Sequence, residues 1–188
     1  GAGAYDLATI DVIWMTEFGP SLAPIDDLMT ADVTGDLPAA LVADAKFEDH
    51  FIGMPQWANA EILFYRKDLF ADAKEQKAFK AQFGYDLVPP TTWQQYRDVA
   101  KFFNRPKDKL YGTAVKGAVE TEWLAYVLQA GSPSVVLDKS GGVIIDDANH
   151  VKALEEYIAP YCTDKVGPDP ATTDWAAAQN LFYLGQSA

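Results

Sequence analysis

The sequence predicts an α/β fold with a largely parallel sheet, and three observations carry that prediction. Strand-like apolar segments at 7–14, 62–65, 110–115 and 141–146 alternate with helical patterns of about 10–15 residues, as βα units do. Glycines and prolines punctuate the chain between those patterns, at Gly84, Pro89–Pro90, Gly131, Pro168 and Gly185. No internal repeat or low-complexity stretch competes with this reading. The 188 residues suit one domain or two small lobes, enough to bury a substantial core.

Taken in order, Leu7 to Trp14 reads as a mostly apolar strand interrupted by Thr9 and Asp11. A short helix or turn follows over 17–30, then loop plus a helix near Pro38–Ala45. The most informative run is Ile52 to Leu69. Trp57 and Asn59 sit in a short polar interval ahead of the β-prone Ile62-Leu-Phe-Tyr65. A strand that starts polar and aromatic and ends apolar passes from a solvated surface into a core, as a chain does on crossing into a second lobe. Asp68 is placed to cap a charged helix that runs to about Gln82 and stops near Gly84. Pro89–Pro90 bar helix, and Thr92 with Gln95 fits a capping box. Trp93, Tyr96, Val99, Ala100 and Phe103 keep helical spacing, so that face packs inward and Trp93 reads as core. A strand at 110–115, a helix from about Thr121 to Ala130 and a hairpin arm at 141–146 follow. Asp147 begins a helix carrying Val151, Leu154 and Ile158. Pro160, Pro168 and Pro170 mark a loop, and Asp174 caps a last helix.

Composition excludes several function classes. The net charge of −12, from 15 basic and 27 acidic residues, argues against nucleic acid and against anionic membrane surfaces. No apolar run approaches the ~20 residues that span a bilayer. Cys162 is the sole cysteine, read as a small buried or half-buried thiol, so neither an intrachain disulfide nor a thiolate cluster is expected. His50 and His150 lack ligand spacing and read as ordinary polar positions; no metal and no cofactor is expected. A phosphate-cradling glycine loop and a Gly-x-Ser-x-Gly elbow are both absent.

What remains is a recurring pairing of tryptophan with a carboxylate or amide: Asp11 with Trp14, Trp57 with Asn59, Glu120 and Glu122 with Trp123, Asp174 with Trp175. Sugars need this pairing. The C–H face of a pyranose lies flat on an aromatic ring, while its hydroxyl rim needs groups that accept and donate several hydrogen bonds. Bonds to a carboxylate are the stronger ones. Each member also has a structural reading: Trp14 and Trp175 as core, Glu120 and Glu122 as complements to a helix dipole, Asp174 as a cap. Their recurrence at strand ends and helix starts lends joint weight, because those positions line the crevice of an open α/β sheet.

With those residues stand Ala4-Tyr-Asp-Leu-Ala-Thr-Ile-Asp-Val-Ile-Trp14, Pro24-Ile-Asp-Asp-Leu28, Gly53-Met-Pro-Gln-Trp57 and Leu63-Phe-Tyr-Arg-Lys-Asp-Leu-Phe70. Pro90-Thr-Thr-Trp93, Tyr111-Gly112, Gly142-Val-Ile-Ile-Asp146 and Asp174-Trp-Ala-Ala-Ala-Gln-Asn-Leu-Phe182 with Gly185 complete the set. In this order the chain resembles an extracellular solute-binding protein of ABC sugar importers, the family that includes maltodextrin-binding proteins. The resemblance implies a type II periplasmic-binding-protein-like fold of two lobes, with 1–57 part of the first, 58–61 a hinge crossing and 62–188 most of the second. It implies ligand contacts at Asp11 and Trp14, at Asn59 in the hinge, and at Glu120 and Trp123; the residue pairing adds Trp57 and Trp175. It further implies a sugar or polyol captured between lobes and delivered to an ABC permease by a periplasmic or extracellular monomer that is not an enzyme. The insertion from Asp72 to Val88 resembles members that take polyols or small sugars. The family's proteins are longer, so the chain is expected to start after their first strand and helix and to stop before the hinge is recrossed. Two other classes share the tryptophan–carboxylate signature: a glycoside hydrolase, for which Asp11 and Glu120 are the pair to nominate, and an aromatic-rich interaction domain.

Overall fold

A computed structural model describes residues 5–58, 60–117 and 119–188, without the side chains of 119–121. The chain divides into two compact units, Gly1–Glu61 and Ile62–Ala188.

In the first unit, helices α1 (Met15–Phe18), α2 (Ala31–Gly35) and α3 (Ala39–Asp44) precede an antiparallel hairpin of β1 (Lys46–Phe47) and β2 (His50–Phe51). Asp26 ties the earlier loop to that hairpin. Its carboxylate accepts from the Phe51 N–H at 2.9 Å and meets His50 Nδ1 at 2.9 Å, and those two bonds, the Phe51 one first, hold its pKa below the ordinary value. The expected strand at 7–14 does not form. Residues 12–14 wind into a 3₁₀ turn, and Leu7 and Ile13 stand exposed. No described residue supplies a ladder partner for this segment, and an unpaired strand gains nothing over a turn.

The second unit holds the main core. Helices α4 (Lys67–Ala71), α5 (Ala73–Phe83) and α6 (Trp93–Phe103) enclose Phe70, Phe79, Leu87, Val99, Phe103 and Leu110. Phe79 stacks on Phe83 at 4.7 Å and meets Tyr85 and Phe102 edge-on. The single helix expected from Asp68 is interrupted at Asp72, whose Oδ1 accepts from Lys74 and Glu75 and so caps α5. Asp68 is not a cap. It forms a two-oxygen pair with Arg66, whose hydrogen bonds lower its pKa to about 2. Gly84 ends α5 at φ 82°, as the sequence predicts. Thr92 caps α6, while Gln95 reaches back to Thr91, one residue short of a reciprocal box.

Ile62 to Tyr65 stands exposed and forms no ladder with any described residue, contrary to a segment entering a core. The segment 110–115 pairs only in part: Tyr111 donates to Gln186 O and accepts from Ala188 N, a parallel bridge centred on Ser187. The hairpin arm forms around Asp138, which accepts from the backbone of Ser140 and Gly142, with Leu137 opposite Val143.

Helices α7 (Val119–Gln129), α8 (Ala148–Cys162) and α9 (Trp175–Tyr183) complete the unit. Asp147 and Asp174 cap α8 and α9 as expected. Three details of α8 depart from the sequence reading. Pro160 lies inside the helix, in its last turn, where few later N–H groups depend on the break. Val151, Leu154 and Ile158 stand exposed, because the opposite face with His150, Ala153, Tyr157 and Pro160 is anchored inward. Cys162 is exposed, not buried.

Asp164 joins α6 to the end of α8. It accepts from Arg97 Nε at 2.7 Å and Nη2 at 3.0 Å and pairs with Lys101 at 3.1 Å, with its side chain only 4% exposed. The Arg97 guanidinium depresses its pKa against the opposing effect of burial. A carboxyl depressed in the folded state contributes stability above its unfolded pKa of about 3.9, and that contribution disappears as pH falls through the folded value. Asp164→Asn is therefore expected to cost about 1.5 kcal/mol near neutral pH. Urea midpoints should show the gap to wild type closing in acid. A constant gap from neutral to strongly acid pH would refute the assignment.

Candidate ligand-binding site

In the second unit, one polar cluster forms where the 110–115 segment ends and α7 and α9 begin. Lys116 is its centre. Its Nζ lies 3.2 Å from the centroid of the Trp175 ring and 2.6 Å from Glu122 Oε1. The Lys116 and Glu122 side chains are 17% and 16% exposed, whereas Trp175 is 51% exposed. An exposed indole thus rests on a half-dry ion pair, a geometry in which a cation–π contact counts for more than it does in water.

Backbone and side-chain bonds lock the cluster. The Tyr157 hydroxyl donates to the Lys116 carbonyl, and Gly117 N–H donates to Thr173 O at 3.1 Å. A side chain at Gly117 would collide with the Pro170 carbonyl oxygen, so that close approach requires glycine. Asp174 Oδ1 accepts from Ala177 N at 2.8 Å, which fixes the start of α9 and the place of Trp175. Deeper in, the Trp93 ring stacks on Tyr126 at 4.0 Å and 17°, and Tyr126 meets Tyr157 edge-on at 5.4 Å. Tyr157, which holds the Lys116 carbonyl, thus belongs to a packed run of aromatic rings whose outer members Trp93 and Tyr126 are half-buried.

Trp123 lies on α7, half-buried, with its ring 5.7 Å from that of His150. Its Nε1 is enclosed and has no hydrogen-bond partner among the described residues. His150 itself is fully buried, contrary to the expectation of an ordinary polar position. Its Nδ1 lies 2.7 Å from Asp147 Oδ1 and its Nε2 2.7 Å from Val135 O. Burial disfavours the imidazolium, but the Asp147 bond, the Val135 carbonyl and the charges of Asp147 and Asp146 together outweigh it, so the His150 pKa is raised.

In the first unit, Asp11 begins the 3₁₀ turn, with a long bond of 3.5 Å from Ile13 N–H to its Oδ1. Trp14 is exposed and meets Phe18 edge-on at 6.2 Å. Trp57 is 65% exposed, and its neighbour Gln56 reaches Thr9 at 3.4 Å. Asn59 and the Glu120 side chain lie outside the described residues. Of the residues singled out in the sequence, the structure brings Glu122 and Trp175 together at Lys116, whereas Trp123 in the same unit meets His150; Asp11, Trp14 and Trp57 belong to the other unit.

Sequence reasoning missed Lys116 and the role of His150. The signal for Lys116 was a lone cation directly after an apolar strand-like segment and before a glycine. For His150 it was the position three residues after a capping aspartate, where the ring can reach the same carboxylate as its own backbone N–H.

Comparison with known proteins agrees with this architecture. Residues 1–188 match the family model of bacterial extracellular solute-binding proteins. A probable ABC transporter-binding protein of Deinococcus radiodurans is 25% identical over 196 residues, covering 96% of this chain and 44% of the relative. A mannitol-binding protein of Pseudomonas aeruginosa is 28% identical over 117 residues, covering 61% of this chain and 24% of the relative. Among solved structures, a solute-binding protein from Agrobacterium radiobacter K84 in complex with ribitol superposes with a TM-score of 0.74 at 27% identity, over 99% of this chain and 46% of that one. Maltose-bound T. maritima MalE3 gives 0.70 at 25% identity, over 95% and 44%. The chain thus spans less than half the length of these relatives. The expected α/β fold of the type II periplasmic-binding-protein kind stands. Over its whole described length, the chain belongs to the bacterial extracellular solute-binding protein family.

Proposed function

We propose that this chain is the ligand-capturing part of an ABC importer's solute-binding protein, and that its ligand is a neutral sugar or polyol passed on to a membrane permease. The observation that carries the reading is the half-exposed Trp175 ring set on the Lys116–Glu122 pair. A flat apolar ring face beside donors and acceptors of balanced charge suits a polyhydroxylated ligand with one C–H face. The ribitol-bound and maltose-bound neighbours and the mannitol-binding relative support the same ligand class.

In this reading Trp123, Trp175 and Glu120 contact ligand from the second unit, and Asp11, Trp14 and Trp57 from the first, with Asn59 in a hinge crossing at 58–61. The division of the chain after Glu61 supports that crossing. The protein acts as a non-enzymatic monomer outside the cytoplasmic membrane, in keeping with the extracellular family to which it belongs. Ligand shifts the population toward a closed form, which a permease recognises.

A thermal-shift series with ribitol, mannitol and maltose on the full chain tests the reading. At least one is expected to raise Tm, by an amount that grows with the logarithm of the ligand excess over Kd. Trp175→Ala is expected to weaken that ligand about tenfold, roughly 1.4 kcal/mol. No stabilisation by any of the three, or unchanged affinity in Trp175→Ala, would overturn it.

A further inference from the structure

Trp175 opens α9 and presents half of its surface to solvent, so the indole needs something other than burial to hold its orientation. Lys116 supplies it. The ammonium sits over one face of the ring, at 3.2 Å from the centroid, and Glu122 Oε1 holds the ammonium at 2.6 Å. The Lys116 backbone is itself fixed, by Tyr157 at its carbonyl and by the Gly117–Thr173 bond one residue on. That bond ties the lysine's segment to the loop that carries Trp175. Both ends of the cation–π contact are therefore anchored to the same loop pair.

An ammonium has three N–H donors. Among the described residues the Lys116 ammonium meets the Glu122 carboxylate and the Trp175 ring, so its charge is already balanced by a carboxylate. Because Glu122 balances the charge, the surroundings of this ammonium suit a hydroxyl or ether oxygen better than a second carboxylate or a phosphate. An anion there would compete with Glu122 for the same ammonium, in a protein of net charge −12.

We propose that Lys116 is a positioning and specificity residue: it fixes the ligand face of Trp175 through the cation–π contact and makes the site select neutral polyhydroxyl ligands over their acids. The second half rests on the function proposed above; the first half does not.

The test uses the full chain with Lys116→Met and Lys116→Arg, and ribitol and ribonate as probes. Lys116→Met keeps the length and apolar stem but removes the charge and the donors. In ligand-free protein it is expected to move the Trp175 indole N–H resonance, assigned with Trp175→Phe. It is also expected to weaken ribitol about tenfold, the equivalent of one moderate cation–π contact. Lys116→Arg should restore the resonance and most of the affinity, which a merely structural role for the lysine stem would not require. Wild type should bind ribitol and leave ribonate unbound. An unmoved Trp175 resonance in Lys116→Met overturns the positioning role. Ribonate binding as tight as ribitol overturns the specificity. If wild type binds none of the sugars or polyols, the ligand class fails while the Trp175 resonance still reads the hold of Lys116 on the ring.

Discussion

Replacing Gly112 with alanine is expected to destabilise the second unit by more than about 3 kcal/mol, enough to unfold a marginal domain. Gly112 lies between α6 and the segment around Val166. Its N–H donates to Val166 O at 2.9 Å, and Thr113 N–H reaches the same oxygen at 3.3 Å. On the other side, a Cβ at position 112 would overlap the Ala100 carbonyl oxygen and lie 2.5 Å from the Ala100 carbonyl carbon and 2.7 Å from its Cα. These are backbone atoms in mid-helix, flanked by the buried Val99 and Phe103, so no rotamer change relieves the clash. Relief requires that α6 move off the core or that the Val166 bonds break. Gly35→Ala is the matched control. Nothing lies within 4 Å of a Cβ there, and the residue is helical, so the change should be neutral or mildly stabilising. Urea denaturation measures both. A midpoint for Gly112→Ala close to wild type would show that the packing of 110–115 on α6 is wrong.

The same contrast explains what the sequence revealed of this fold. Signals written in neighbouring residues were legible: the caps at Thr92, Asp147 and Asp174, the left-handed stops at Gly84, Gly131 and Gly185, and the inward face of α6 all stand where local chemistry puts them. A cap or stop needs only a few adjacent residues, so the order of the chain contains it. Strands were less legible because a ladder is a property of two segments. The apolar character of 7–14 and 62–65 is plain, yet neither has a ladder partner among the described residues, and all their large apolar side chains except the half-buried Ile10 stand exposed. The sequence reading placed the cap at Asp68, whereas Asp72, four residues on, holds it. What decided between them was Arg66, two residues away, which took the first. In the candidate site the tryptophans were visible because the pairing with a carboxylate is local. Lys116 was not, since its partners Trp175 and Tyr157 are brought to it only by tertiary folding.

His150 carries the second large effect. Both ring nitrogens face an acceptor at 2.7 Å, the Asp147 carboxylate and the Val135 carbonyl. A neutral imidazole has one N–H and leaves one of those contacts lone pair against lone pair; an imidazolium satisfies both. The side chain is fully buried, so water cannot substitute for the missing donor. His150→Ala removes packing against Trp123 and orphans the Val135 carbonyl, at an expected cost of about 2–4 kcal/mol. The pH dependence has a definite sign. Because the folded pKa is raised, the contribution of His150 is fully present below the unfolded value of about 6.5 and is lost as pH rises through the folded value. The urea midpoint of wild type should therefore fall on going from mildly acid to alkaline pH. His150→Gln, which can donate to Val135 but cannot gain charge, should be flat across that window. Since the His150 ring abuts Trp123, the Trp123 indole resonance should shift with the same midpoint. Equal slopes in wild type and His150→Gln would mean that the buried ring is neutral, and that the tie between the hairpin and α8 rests on a single hydrogen bond.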